Sequence, residues 1–295
     1  MRRDRIDVTG AGLLLAFSLL MGINHVLIKL VNAGFSPAFQ AGLRSICAFL
    51  PVLIYAWWSG RKLSVTDGSF GPGMVAGLFF SVEFLLLFNA LEYTSVNRAS
   101  VLFYTMPVWV ALGAHFLIPG EGMSSRRALG LILAVCGVAW AMLSRAPDVG
   151  PDAWIGDLMC LVGAFLWAGI ALTIRLTRLS RAEPEMQLLY QLGVSAIVVT
   201  AAAPLFGPIV RDVTPEIIGI FSFQVLVVVC LGFSVWFWML RIYPASDMAA
   251  FSFLAPVFGV ISAWLILGEP LTAEILVALI LVGAGIVLVS WKPRR

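Results

Sequence analysis

The sequence predicts an all-α membrane protein of ten transmembrane helices, built as two inverted five-helix repeats. Three observations predict it. Of 295 residues, 61% are hydrophobic and 12% charged, against about 45–50% and 25% in soluble domains. About ten apolar runs succeed one another with short polar breaks, each near the roughly 20 residues needed to cross a hydrocarbon core about 30 Å thick. The chain also resembles itself at an interval of about 146 to 149 residues.

Gly, Pro and charge breaks place the first run at 10–31. It follows Met1-Arg2-Arg3-Asp4-Arg5 as a signal core would. Its apolar stretch exceeds the roughly 7–15 residues of such a core, and no small-residue cleavage site follows, so it is read as a retained helix. Ser18, Gly22, His25 and Lys29 recur at spacings of three and four and share a face, read as a polar stripe into a cavity. Asn24 adds a donor and acceptors on an adjacent face. His25 is suited to bond a carboxylate or to titrate near neutrality, and Lys29 is expected to snorkel to the interface. The second run, 37–58, ends in the interface anchors Trp57 and Trp58. Arg44 lies about two turns from its other end and is expected to snorkel or to pair with a helix-end carboxylate, with substrate carboxylate binding as the alternative. The third run, 71–91, holds Glu83 near its centre. A charge at that depth costs roughly 2.5–3.5 kcal/mol on insertion scales. Glu83 therefore binds a substrate ammonium or exchanges a proton, or else a neighbouring donor holds it for structure alone.

The fourth run, 97–118, sets Ser100, Tyr104, Pro107, Ala111 and His115 along one side, with Tyr104 a candidate cavity-lining ring. Pro107 removes a backbone hydrogen bond and crowds the carbonyl of Phe103, which favours a kink. The fifth, 125–144, carries Gly130, Ala134, Gly137 and Ala141 for close helix packing. The sixth, 154–176, opens on the anchor Trp154 and brings Trp167 to mid-depth, and the seventh, 184–205, begins at Pro184. In the eighth, 217–240, Gln224, Leu231, Ser234 and Trp238 form a mixed face. The ninth, 246–267, places Phe253 near mid-depth and Pro256 against the carbonyl of Ser252. The tenth, 272–291, has Ala278, Gly283 and Gly285 for packing and the anchor Trp291. Mid-span rings such as Trp167 and Phe253 suit stacking on an aromatic or bulky apolar substrate.

An even number of spans puts both termini on one side. With that side cytoplasmic, the inside segments hold fourteen of nineteen Lys and Arg residues: Arg61, Lys62, Arg126, Arg127, Arg175, Arg178, Arg181 and Arg241, besides those at the two ends. Lys29, Arg98, Arg145 and Arg211 fall outside. Positive charge is retained on the cytoplasmic side, so a cell inner (plasma) membrane protein with both termini in the cytoplasm is expected. The net charge of +3 sits in short loops facing lipid rather than in a nucleic-acid footprint, and no nucleic-acid partner is expected. Cys47, Cys136, Cys160 and Cys230 lie inside apolar runs without CxxC spacing, which supports neither a disulfide framework nor a zinc site. With no glycine-rich phosphate loop either, no metal or organic cofactor is expected.

The internal repeat sets Gly22-Ile23-Asn24-His25-Val26-Leu27-Ile28-Lys29-Leu30 against Ala168-Gly169-Ile170-Ala171-Leu172-Thr173-Ile174-Arg175-Leu176. Met106-Pro107-Val108-Trp109 answers to Ala255-Pro256-Val257-Phe258, Gly120-Glu121 to Gly268-Glu269, and Gly137 to Gly285. Five is odd, so the halves 1–148 and 149–295 cross the membrane in opposite senses. Inverted repeats commonly frame a midplane site exposed to either side in turn. Pro107 and Pro256 are then candidate hinges, with fixed bends as the alternative. Glu83 answers to Gly232, so symmetry does not require it.

The ten-helix plan, Ala90-Leu91-Glu92-Tyr93-Thr94-Ser95-Val96 followed by Pro107-Val108-Trp109, and the Gly-Glu helix ends resemble the drug/metabolite transporter superfamily. The branch is the one with two EamA-type domains, and the resemblance covers nearly the whole chain. Within it Val82-Glu83-Phe84 is similar to a stretch of the bacterial aromatic amino-acid exporters. The resemblance implies an exporter, not an enzyme, carrying amino acids (aromatic or other bulky ones) and related small metabolites by alternating access. The first run lacks the carboxylate that small multidrug-resistance relatives use for proton coupling. The substrate's own gradient is therefore the expected drive, and proton-coupled export through Glu83 the alternative. A channel, a scaffold and a lipid-modifying enzyme are the rival classes; an enzyme should gather carboxylates and histidines at one face, whereas His25 and His115 are predicted near opposite sides. The candidate substrate-binding residues are Glu83, Asn24, His25, Tyr104, Trp167, Gln224, Trp238 and Phe253. The expected partners are a small-molecule substrate and the bilayer. A monomer is compatible with this plan, and the sequence leaves the oligomeric state open.

Overall fold

The computed structural model describes residues 7–119, 122–144, 150–243, 248, 251 and 253–290. Regular structure among them is helical apart from one isolated antiparallel bridge, Phe35 to Val210. The helices are α1 (Val8–Val31), α2 (Pro37–Trp58), α3 (Phe70–Tyr93), α4 (Val96–Phe103), α5 (Met106–Leu117) and α6 (Ser125–Leu143). Next come α7 (Ala153–Leu176), α8 (Pro184–Ala202), α9 (Pro215–Phe223), α10 (Gly232–Ile242), α11 (Leu254–Leu267) and α12 (Ala273–Ser290). α4 and α5 form one span; α9 and α10, joined by a π-helical stretch at Gln224–Leu231, form another. Among the described residues nine segments are long and apolar enough to cross a membrane, and α11 is a shorter tenth. The start of the ninth expected run, near 246, lies outside the described residues, as do Gly120, Glu121, Arg145, Ser252, Trp291 and the charged residues at both ends.

Polar side chains start the helices where the chain enters the apolar layer. Asp7 accepts from Gly10 N–H at 2.8 Å, Ser36 from Phe39 N–H at 3.3 Å ahead of Pro37, and Thr214 from Ile217 N–H at 3.3 Å ahead of Pro215. Each meets a backbone donor that the first turn leaves unpaired. The fourth run does not bend through Pro107 but breaks. α4 ends at Phe103, Thr105 N–H reaches back to Leu102 O at 3.3 Å, and α5 restarts with Pro107 in its first turn. The Thr105 hydroxyl donates to Leu102 O at 2.6 Å and accepts from Trp109 Nε1 at 3.1 Å, which satisfies groups freed by the break. Pro256 likewise falls in the first turn of a helix: Leu254 N–H bonds Phe251 O at 3.0 Å and α11 starts at Leu254.

We call the membrane face at the start of α1 proximal and the opposite face distal. α7 starts at the distal face, where a Cβ on its Gly156 would stand 2.7 Å from Ala90 O at the end of α3. The second repeat thus runs opposite to the first. α1 lies on α11, α4 on both α7 and α11, α2 on α8, and α3 along α7 and α8. The symmetry is incomplete: α9 and α10, the counterparts of α3, meet α1 only sparsely. The distal half is the tighter one. Every residue from Val96 to Thr105 is buried, whereas in α5 only Val108 and Ala114 are.

Glycines set a close approach of α6 to α12. A Cβ on Gly285 would lie 2.6 Å from Gly130 O and 2.9 Å from Ala134 Cβ, so the two backbones touch. Gly283, expected from the sequence to serve the same packing, instead has nothing within 4 Å of its Cβ position. Gly285→Leu is expected to destabilise the protein by about 1–3 kcal/mol through overpacking, and Gly283→Leu to leave it unchanged. Thermal unfolding in detergent checks this; equal melting temperatures for the two variants would contradict the packing described.

Candidate functional site

Four spans bring polar side chains to the middle of the bundle. On α3, Phe80, Phe84 and Phe88 recur at intervals of four and stack along one face, with centroids 3.9 and 5.3 Å apart. Glu83, beside Phe84, is fully buried, and among the described residues neither of its carboxyl oxygens has a hydrogen-bond partner. α7 turns a glycine toward it. A Cβ on Gly163 would lie 3.9 Å from Glu83 Cγ and 3.3 Å from the Phe103 ring.

Arg44 enters the same region from α2. It is 5% exposed, with its guanidinium 4.6 Å from the Phe84 centroid and 4.7 Å from that of Phe88. Its Nη1 donates to Asn24 Oδ1 on α1 at 3.2 Å, and its Nε is buried without a partner. The expected snorkelling is thereby overturned. Ring faces attract a guanidinium and an amide oxygen accepts from it, so the charge has local reasons to stay inside. Glu83 and Arg44 lie within electrostatic range of each other without a hydrogen bond between them. A buried carboxyl group and a buried guanidinium therefore share one apolar surrounding, and each keeps unmet bonding capacity.

His25 on α1 completes the cluster. Its Nδ1 stands 3.2 Å from the Ser100 hydroxyl, and its ring stacks on Tyr104 at 5.3 Å and 25°. The Tyr104 hydroxyl donates to Met21 O at 2.9 Å, so this ring offers a face while its polar group ties α4 to α1. Phe103 sets an edge against His25 at 5.6 Å and against Trp167 of α7 at 5.9 Å. The structure thus gathers Glu83, Asn24, His25, Tyr104 and Trp167, and adds Arg44 and Phe103.

Two expected members, Gln224 and Trp238, are placed elsewhere. Gln224 is buried but accepts from Gln40 Nε2 on α2 at 3.2 Å. Trp238 is 45% exposed, on the outside of the bundle. Phe253 is half-buried and packs against the main core. The mixed face drawn through Gln224, Leu231, Ser234 and Trp238 assumed a 3.6-residue turn throughout. The π stretch at Gln224–Leu231 widens the turn and rotates the later residues of the span out of register. Ser18 and Gly22 of the α1 stripe do not line a cavity. Ser18 donates to Phe251 O at 3.3 Å, and a Cβ on Gly22 would lie 2.6 Å from Gly259 N, so this part of the stripe is a seam between α1 and the second repeat.

That seam ends in a belt of charge at the distal face. Lys29 Nζ pairs with Glu269 at 3.2 Å rather than snorkelling freely, and the same carboxylate accepts from Val96 and Asn97 N–H at 2.9 Å each, capping α4. Arg98 pairs with Asp157, and Arg211 with Glu92 at 3.1 Å. Each of these three pairs joins one repeat to the other. Among the described residues no three His, Cys, Asp or Glu side chains converge as metal ligands would.

The pattern of the EamA-like transporter family matches residues 8–143 and again 154–291. The uncharacterized transporter YoaV of Bacillus subtilis is 23% identical over 96% of this chain and 97% of its own length. A probable amino-acid metabolite efflux pump of Salmonella typhimurium is 26% identical over 90% of this chain and 89% of its own. A solved crystal structure superimposes with a TM-score of 0.68 at 18% identity, covering 94% of this chain and 95% of the other, which supports the fold.

Proposed function

The chain belongs to the EamA-like transporter family as a multi-pass membrane transporter, and on that premise we propose that it exports amino acids, bulky and aromatic ones foremost, together with related small metabolites. The observation that carries this reading is Glu83: a carboxyl group near the middle of α3, fully buried, with neither oxygen hydrogen-bonded among the described residues. A group so costly to bury is best accounted for by a ligand that completes it. An ammonium does so, and Tyr104, Phe103 and Trp167 offer faces to an apolar side chain. The efflux pump among the relatives points the same way.

The orientation belongs to the proposal as well. With the termini in the cytoplasm of a cell bounded by this inner membrane, the distal face is external, and the belt of Lys29, Glu269, Arg98 and Asp157 closes the site on that side. The site then loads from the cytoplasm, and the break before Pro107 and the start of α11 beside Pro256 are the hinges about which the repeats rock. No nucleotide-driven step enters; the substrate's own gradient drives transport.

Labelled phenylalanine, tryptophan, leucine and methionine, beside small and charged amino acids, test this in proteoliposomes with and without a pH gradient. Saturable flux of the bulky members, equal under both conditions, is the expected result. Flux seen only with the gradient would replace facilitation by proton coupling through Glu83. Absence of flux across the panel would end the amino-acid reading.

A further inference from the structure

We infer that the site recognises its substrate as a zwitterion, Arg44 holding the carboxylate while Glu83 holds the ammonium. The inference rests on the export reading above and deepens it.

Phe84 and Phe88 cover the guanidinium of Arg44 from one side, at 4.6 and 4.7 Å with their centroids 5.3 Å apart. Its N–H donors point outward in its own plane. There Nη1 is engaged by Asn24, and Nε is buried with no acceptor. A planar fork with donors in hand is the geometry that a carboxylate fits. Glu83 lies within electrostatic range of this fork, yet its two oxygens bond nothing. A buried carboxyl and a buried guanidinium that are not hydrogen-bonded to each other suit a ligand that carries an ammonium and a carboxylate on one carbon. An α-amino acid is such a ligand. It also adds no net charge to a site deep in the bilayer, where net charge is costly. An amine leaves the Arg44 donor unmet, and a carboxylic acid leaves Glu83 unmet; either omission is penalised because the group is already stripped of water.

Counterflow of labelled L-phenylalanine through the intact protein in proteoliposomes tests this, with unlabelled L-phenylalanine, phenethylamine and 3-phenylpropionate as competitors. If another amino acid gives the larger flux, its own amine and acid analogues take their place. In the unaltered protein the amine and the acid should each compete roughly 10- to 100-fold less well than the amino acid, as the loss of one charge-assisted hydrogen bond implies. In Arg44→Gln the gap between phenylalanine and phenethylamine should close, and in Glu83→Gln the gap to phenylpropionate. Arg44→Lys, which keeps the charge but not the fork, should narrow the first gap only in part, and it serves in place of Arg44→Gln if that variant fails to fold. Variants that weaken every competitor alike, with the gaps intact, would make Arg44 a packing residue and overturn the inference while export of amino acids stands. Absence of flux for the whole panel in the unaltered protein would remove the export reading and this inference with it.

Discussion

Asp157→Ala is expected to cost about 3–5 kcal/mol of stability, the range for breaking a buried ion pair by removing one partner. Asp157 is fully buried on α7, and Arg98 is 3% exposed on α4. Arg98 Nε lies 3.1 Å from each carboxylate oxygen, its Nη2 makes a closer contact with one of them, and the Thr94 hydroxyl donates to the same group at 2.7 Å. Without the carboxylate, a guanidinium remains enclosed with, among the described residues, Ser144 O at 3.0 Å left to accept from it. Replacing both partners by apolar residues of similar volume should recover much of the loss, because the desolvated charge goes too. Glu92 and Arg211 supply the contrast. Their side chains are 33% and 32% exposed, and breaking that pair should cost about 0–1 kcal/mol. Melting temperatures in detergent compare the two cases, and similar losses for both would show that burial does not set the worth of these bridges.

Glu83→Gln should behave in the opposite manner, with flux down roughly 10- to 100-fold and a smaller loss of stability than in Asp157→Ala. Glutamine keeps the volume, and since the carboxylate makes no hydrogen bond in the resting site, none is broken. What disappears is the charge that an ammonium would meet. Flux and melting temperature measured on one preparation separate the roles. A variant that melts as early as Asp157→Ala, yet transports normally once folded, would place Glu83 in the scaffold.

The spans were legible in the sequence because hydrophobic length is a property of each segment alone. Glu83 was legible for the same reason, since a carboxyl at mid-run is costly whatever surrounds it. Arg44 was not, because its depth along α2 suggests snorkelling, whereas its actual surroundings, Asn24 on α1 and Phe84 and Phe88 on α3, come from other helices. The stripe on α1 shows the limit of periodicity: spacing establishes that Ser18, Gly22 and His25 share a face, but not that this face meets α11 and α4. Trp238 was misplaced because one π stretch shifts every later residue of the span. Pro107 announced a disturbance, yet the Thr105 hydroxyl, bonded to Leu102 O and Trp109 Nε1, makes it a full break.

The most direct measurement is counterflow of labelled bulky amino acids through the intact protein and Glu83→Gln, reconstituted side by side at equal protein content. A central substrate site at Glu83 predicts saturable exchange by the first, reduced roughly 10- to 100-fold in the second. Equal exchange by both, or none by the intact protein, would contradict it.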